Sequence, residues 1–176
     1  MISIIVTTYK NIPLAERCVQ SIVKSCGTTI AFEIILSDSV STAKKTEALQ
    51  RIKKNYSTVI SQIITNEKNI GYPKAVNAGI EKAKGDIFLI MNSDILVEKD
   101  AIPVMVNHIQ QHSTVGVLGP MLLNIDKSIM ASAYRFYQWY TVLYRRTVLG
   151  RIPHAQKHLR SFLMQNWDHQ DTRDVD

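Results

Sequence analysis

Apolar and polar positions fall into two alternating patterns along the first 120 residues. Residues 2–8, Ile2-Ser3-Ile4-Ile5-Val6-Thr7-Thr8, form a run rich in β-branched side chains, which predicts a strand buried on both faces. Leu14, Cys18, Ile22, Val23 and Cys26 then recur at helical spacing. Asn11 is placed to cap that helix, Pro13 lies in its first turn, and Gly27 ends it. The alternation continues with a strand at 32–37 and a helix at 42–55 that carries Leu49, Ile52 and Tyr56 on one side. A strand at 59–65, a polar loop at 66–73, a short helix at 74–84 closed by Gly85 and a strand at 86–91 follow. A helix at 101–112 turns Ile102, Met105, Val106 and Ile109 inward, a strand returns at 115–118, and 121–130 reads as a hairpin around Asn124-Ile125-Asp126. Strands alternating with helices predict an α/β fold, a mainly parallel sheet flanked by helices.

Composition narrows the class. The chain has 176 residues, 45% hydrophobic and 20% charged, which excludes a disordered tail, a fibrous repeat and a disulfide-knotted mini-protein. No apolar run approaches the roughly 18 residues of a membrane span. Met1 leads directly into the first apolar run without a basic segment or cleavage site, so the expected location is cytoplasmic. Cys18 and Cys26 lie on one predicted helix, roughly 12 Å apart at 1.5 Å of rise per residue, too far for a disulfide.

The net charge of +6 has a location. Residues 131–167 hold no acid and six bases, Arg135, Arg145, Arg146, Arg151, Lys157 and Arg160. Tyr134, Phe136, Tyr137, Trp139, Tyr140 and Tyr144 are interleaved with them. This change of texture sets an expected boundary, with one domain at 1–130 and a basic aromatic segment plus acidic tail at 131–176. From Tyr134 to Arg160 the stretch has three readings: an amphipathic helix packed on the sheet, part of an acceptor site, or a peripheral contact with an anionic membrane. Nucleic-acid binding ranks last, because the segment matches no nucleic-acid module.

In an open α/β sheet, ligands bind outside the carboxyl ends of the strands. Those ends carry Thr7-Thr8-Tyr9, Asp38, Asn66–Asn69 and Asn92-Ser93-Asp94. A carboxylate there accepts from a nucleobase N–H or holds a divalent cation; the alternatives are an N-cap for Asp38 and an N-cap or turn for Asp94. Neither G-x-G-x-x-G nor a P-loop occurs, which argues against a dinucleotide-dependent dehydrogenase and a P-loop ATPase. Lys74 stands near the start of a helix after Asn69-Ile70-Gly71-Tyr72-Pro73, a suitable place for an anion. His108/His112 and His154/His158 have helical i, i+4 spacing, but without the Glu of H-E-x-x-H or a third ligand a structural role outranks zinc.

Two longer motifs, Asn69-x-Gly71-Tyr72-x-x-Ala75-x-Asn77-x-Gly79 and Ala83-x-Gly85-Asp86-Ile87-Phe88-Leu89-Ile90-Met91-Asn92-Ser93-Asp94, resemble the family 2 glycosyltransferases. Ile4-Ile5-Val6-Thr7-Thr8-Tyr9 and Glu33-Ile34-Ile35-Leu36-Ser37-Asp38-Ser39-Val40-Ser41-Thr42 match the same family in order and spacing, so the likeness runs over about residues 2–125. It implies a GT-A (Rossmann-like) fold, a UDP- or dTDP-sugar donor, a glycan or lipid-linked acceptor, and transfer with inversion. Carried over, Thr8 and Tyr9 border the nucleobase and Asp38 accepts from its ring. Asn69, Gly71, Lys74 and Asn77 line the nucleotide side of the pocket. Asn92, Ser93 and Asp94 occupy the usual Asp-x-Asp position, with Asp94 as the ligand of Mg²⁺ or Mn²⁺.

Several positions depart from the family pattern. Asn92 replaces an aspartate, a variant that resembles the rhamnosyltransferase-like branch and makes rhamnose a candidate donor sugar. Ser39-Val40 replaces Asn-Gly or Asn-Ala, Ala43 replaces an acid, and Pro73 removes a loop donor. The family's general base lies further downstream than this chain reaches. The expectation is therefore a donor-binding part without the C-terminal acceptor half, and no base is assigned among Asp168, Asp171, Asp174 and Asp176. Two other classes stand beside glycosyl transfer: a non-catalytic nucleotide-sugar-binding remnant, and a basic module for membrane or nucleic acid.

Overall fold

The structure, a computed structural model, describes residues 1–9, 11–130, 132–168 and 171–175. It divides into two compact units, Met1–Leu118 and Gly119–Asp176.

The first unit is built on four strands in the order β3-β2-β1-β4, all parallel. They are β1 (Ile2–Tyr9), β2 (Phe32–Ser39), β3 (Ile60–Asn66) and β4 (Ile87–Asn92). Helices α1 (Ile12–Cys26), α2 (Ala43–Asn55), α3 (Tyr72–Ile80) and α4 (Ala101–Gln111) join or follow them. The first seven residues of β1 are buried, as its unbroken apolar run predicts for a strand covered on both faces. On one face Ile2, Ile4 and Val6 of β1 join Ile34 and Leu36 of β2 in a core with α1, α2 and α4, through residues such as Cys18, Ile22, Leu49, Ile52 and Ile102. On the other face α3 packs on β1 and β2. Gly79 makes that approach possible, because a Cβ there would lie 2.5 Å from Ile5 Cγ2.

The predicted helix ends are largely the observed ones. Asn11 caps α1 by accepting from the Leu14 amide, and Gly27, at φ 52°, follows Cys26. Thr42 caps α2 by accepting from the Lys45 amide. Helix α3 differs from its predicted span of 74–84. Gly71 at φ 80° turns the chain into the helix at Tyr72, and Pro73 sits where a missing N–H is harmless. At the other end α3 stops at Ile80, and a turn carries the chain to Gly85.

The strand expected at 115–118 does not form. The Val115 amide closes a turn onto the His112 carbonyl, and Val117 is 92% exposed. An apolar run flanked by Gly116 and Gly119 has no strand to pair with here, so its β-propensity is not realised.

At the amino-terminal edge of the sheet Glu33 is buried and fully engaged. Its Oε1 accepts from Ser3 Oγ at 2.7 Å and from the Lys84 amide at 2.7 Å, and the Gly85 amide donates to Ser3 Oγ at 2.8 Å. This knot fastens the chain entering β4 to the first two strands.

In the second unit, β5 (Leu122–Leu123) and β6 (Ile129–Met130) pair antiparallel, which is the predicted hairpin. Helix α5 (Trp139–Arg146), a 3₁₀ turn (Val148–Arg151) and α6 (Pro153–Phe162) follow. Phe162 is the centre of a small core, 5.8 Å from the Tyr134 ring and 4.7 Å from the Tyr137 ring. Trp139, by contrast, is 82% exposed. Among the described residues no helix is long and apolar enough to cross a membrane.

Candidate functional site

Parallel register gathers the polar strand ends. Thr8 of β1 pairs with Asp38 of β2, while Thr7 pairs with Ser37 on one side and Asn92 of β4 on the other. Asp38 and Asn92 thus flank the end of β1, about 10 Å apart at the usual strand spacing. The sequence placed these groups at one edge of the sheet, and the topology supplies the order in which they stand.

Asp38 is fully buried. Its Oδ2 accepts a 2.6 Å hydrogen bond from Ser41 Oγ, and Oδ1 lies 3.6 Å from Lys45 Nζ. Among the described residues Oδ1 receives no hydrogen bond, and neither do the buried hydroxyls of Thr8 and Ser37. A buried polar atom without a hydrogen bond costs about 1–3 kcal/mol, a cost that water or a ligand at this edge would offset. The N-cap reading of Asp38 gives way to Thr42, which makes that bond itself. Lys45 also donates to the Val40 carbonyl at 3.0 Å and the Ser39 carbonyl at 3.4 Å. The loop's other ties run to Asn66, whose side chain donates to the Asp38 carbonyl and whose carbonyl accepts from the Ser41 amide. Sequence reasoning missed Ser41 and Lys45; α2's first turn brings Lys45 back over the strand end, a contact with no local signature.

Tyr9 is half-exposed where β1 ends. Asn69 Oδ1 accepts from the Gly71 amide at 3.0 Å, a local turn that sets the approach to α3. Gly71 brings no side-chain cap, so the first amides of α3 are left to another acceptor. Lys74 and Asn77 are exposed on that helix.

At the end of β4, Asn92 Oδ1 accepts from Thr7 Oγ1 at 3.1 Å and the Ser93 amide donates to the Thr7 carbonyl at 3.0 Å. Ser93 is buried, and Asp94 is exposed in the turn closed by the Ile95 amide onto the Asn92 carbonyl. Asn92's oxygen is therefore engaged within the sheet and Asp94 presents the carboxylate. Cys18 senses it: burial first, and Asp94's charge second, push its thiol up to about 12. An exposed carboxylate is an oxygen donor of the kind Mg²⁺ or Mn²⁺ takes, with phosphate oxygens and water supplying the other ligands. Among the described residues no group of three or more His, Cys, Asp or Glu is assembled to hold a metal without such help. Three of the four histidines at i, i+4 spacing make contacts of another kind. His108 and His112 stack at 4.2 Å, and His158 Nε2 lies 2.8 Å from Thr141 Oγ1 between the Tyr140 and Tyr144 rings.

A parallel sheet with helices on both faces and polar groups at its carboxyl edge is the GT-A, Rossmann-like fold of glycosyltransferases. The chain belongs to glycosyl transferase family 2, whose model matches residues 3–167. It is similar in structure to the mannosyltransferase PcManGT from Pyrobaculum calidifontis, solved with GDP-Man and Mn²⁺ (TM-score 0.58, 23% identity, 65% of this chain and 33% of that one). It is also similar to Staphylococcus aureus TarS 1-349 in complex with UDP (TM-score 0.55, 21% identity, 76% and 44%). In sequence it is 30% identical over 128 residues to glycosyltransferase GlyG of Streptococcus pneumoniae, 73% of this chain and 41% of the relative. It is 24% identical over 110 residues to the poly(ribitol-phosphate) beta-N-acetylglucosaminyltransferase TarS, 62% and 19%. The chain thus spans less than half the length of these curated relatives.

Proposed function

We propose that this chain forms the nucleotide-sugar-binding part of a family 2 glycosyltransferase that passes a sugar, with inversion, to a glycan or lipid-linked acceptor. The observation that carries this reading is the buried pair Thr8 and Asp38, register partners with oxygens that lack hydrogen bonds. Asp38 Oδ1 is suited to the N–H of a uracil or thymine ring, and Thr8 and Tyr9 border that position. The α3 amides behind Gly71, with Lys74 and Asn77, offer donors to phosphate oxygens. Asp94 would hold Mg²⁺ or Mn²⁺, which when bound stabilises the charge of the departing nucleoside diphosphate. Asn92 and Ser93 fix the approach of that turn to β1. The rhamnosyltransferase-like Asn-Ser-Asp makes dTDP-rhamnose the first donor to try.

The basic aromatic surface around Trp139, Arg146 and Arg151 suits the cytoplasmic face of an anionic membrane, where a lipid-linked acceptor resides. A second reading is a donor-binding remnant without turnover, since no general base is assigned among the described residues.

The test is titration of the chain with UDP-, dTDP- and GDP-sugars plus Mn²⁺, with donor hydrolysis measured alongside. Saturable binding lost in Asp38→Ala and Asp94→Ala is expected. Binding without hydrolysis selects the remnant. Weak binding indifferent to both substitutions overturns the donor-site reading altogether.

A further inference from the structure

One face of α1 is tied, residue by residue, to the segment that carries Asp94. Cys18, Ser21 and Ser25 fall at i, i+3 and i+7, a single stripe on the helix. Cys18 Sγ lies 3.9 Å from the Asn92 carbonyl, Ser21 Oγ accepts from the Val97 amide at 3.1 Å, and Ser25 Oγ accepts from the Ile102 amide at 3.2 Å. The partners step forward along the chain as the helix advances, so residues 92–102 run alongside α1 in the same direction.

These bonds stand where the segment's own backbone bonding is limited to the turn that Ile95 closes onto Asn92 and the one that Ala101 closes onto Glu98. From Ser93 to Asp100 there is neither helix nor strand. Helix α4 opens on Asp100, which sits in the left-handed region at φ 60° and makes no capping bond. Its second amide, that of Ile102, would be orphaned. Ser25, 2% exposed and next to last in α1, supplies the missing acceptor. Ser21 performs the same service for Val97 while its own hydroxyl proton goes to the Cys18 carbonyl at 2.7 Å. Ser21 is therefore committed both as donor and as acceptor. The side-chain carbons of Ile95, Val97 and Ile102 dock on the core at the same places.

We infer that Ser21 and Ser25 are positioning residues, which fix the course of residues 92–102 from α1 and so set where Asp94 presents its carboxylate. The inference rests on the reading of Asp94 as the metal-holding residue. The turn bearing Asp94 is tied to β1 through the Ser93 amide and closed by the Ile95 amide, and the irregular chain that leaves it is held from α1 by the two serines. Ser21 is the nearer restraint, three residues beyond Asp94, and Ser25 anchors the helix that follows.

The experiment uses the full chain carrying Ser21→Ala, Ser25→Ala or Ser21→Thr, with Asp94→Asn as control. Amide hydrogen exchange reads the restraint itself. Val97 is expected to exchange about fivefold faster in Ser21→Ala, and Ile102 likewise in Ser25→Ala, with the β1 and β2 amides unchanged. Mn²⁺ binding in the presence of UDP reads the consequence, with a loss of roughly tenfold in Ser21→Ala. UDP binding in EDTA is unchanged, and Ser21→Thr, which keeps the acceptor, restores Mn²⁺ affinity. Unchanged Val97 exchange overturns the inference. So does faster exchange with undiminished Mn²⁺ affinity, which reduces the serines to fold stabilisers. Mn²⁺ binding indifferent to Asp94→Asn overturns the metal reading instead, leaving the restraint to be judged by exchange alone.

Discussion

Lys45 Nζ stands 3.6 Å from Asp38 Oδ1, a side chain with no exposed surface, and turns two of its protons to the carbonyls of Ser39 and Val40. One ammonium thereby balances a buried charge and closes the loop that carries it. Removing it should leave the carboxylate unbalanced. Lys45→Met is expected to cost about 3 kcal/mol in urea unfolding, and the double variant with Asp38→Asn should regain most of that loss. A double-variant loss equal to the sum of the Lys45→Met and Asp38→Asn losses would show that the pair is not coupled.

Val40 is a β-branched residue in the left-handed region, at φ 60°. That conformation costs an L residue roughly 1–2 kcal/mol, and glycine adopts it freely. Val40→Gly should therefore raise the urea midpoint, by about 1 kcal/mol of stability. A fall in the midpoint would mean that Val40's packing outweighs the strain.

Glu33 sets a pH dependence. Burial pushes its carboxyl up, but hydrogen bonds from Ser61, Ser3 and the Lys84 amide, with the charge of Lys84, outweigh it and hold the group below its ordinary 4.5. A depressed folded pKa means that the stabilisation is complete above the unfolded value and fades as pH falls through the folded one. The wild-type chain should lose stability below about pH 4.5, and Glu33→Gln should be less stable at pH 7 with a flatter acid limb. Parallel acid limbs for the two proteins would assign the loss to other carboxylates.

The second unit predicts a binding experiment of its own. Trp139 and Arg146 are exposed, whereas Arg145 is occupied with the Tyr137 hydroxyl and the Phe162 ring. On vesicles rich in anionic lipid, Arg146→Gln should weaken retention by about fivefold at low salt. Trp139→Ala should weaken it at any salt, since its contribution is burial of an apolar ring. Retention that persists in both variants would place the contact elsewhere.

What the sequence made legible was whatever depends on local pattern. The run at 2–8, the Asn11 cap and the Gly27 end of α1 all follow from the identities of neighbouring residues, whereas α2 takes its cap from Thr42 and not from Asp38. Asp38 and Asp94 could be placed at strand ends for the same reason. What stayed hidden depends on tertiary approach. Ser21 and Ser25 look like ordinary polar positions of an amphipathic helix until residues 92–102 lie beside them, and Lys45 looks like one more exposed helix lysine. The run at 115–118 shows the converse error, since a pattern that suits a strand makes one only where a neighbour offers its edge.

Thr7 lies between Ser37 and Asn92, one strand's width from each. Anything gripping the groups on both sides of β1 would act as a cross-strand rivet. It would tie β4, which among the described residues is hydrogen-bonded in the sheet only to β1, through to β2. Occupancy should then be written into the mechanics of the sheet: the amides of β4 would gain more protection from a bridging ligand than those of β1, whose burial already shields them.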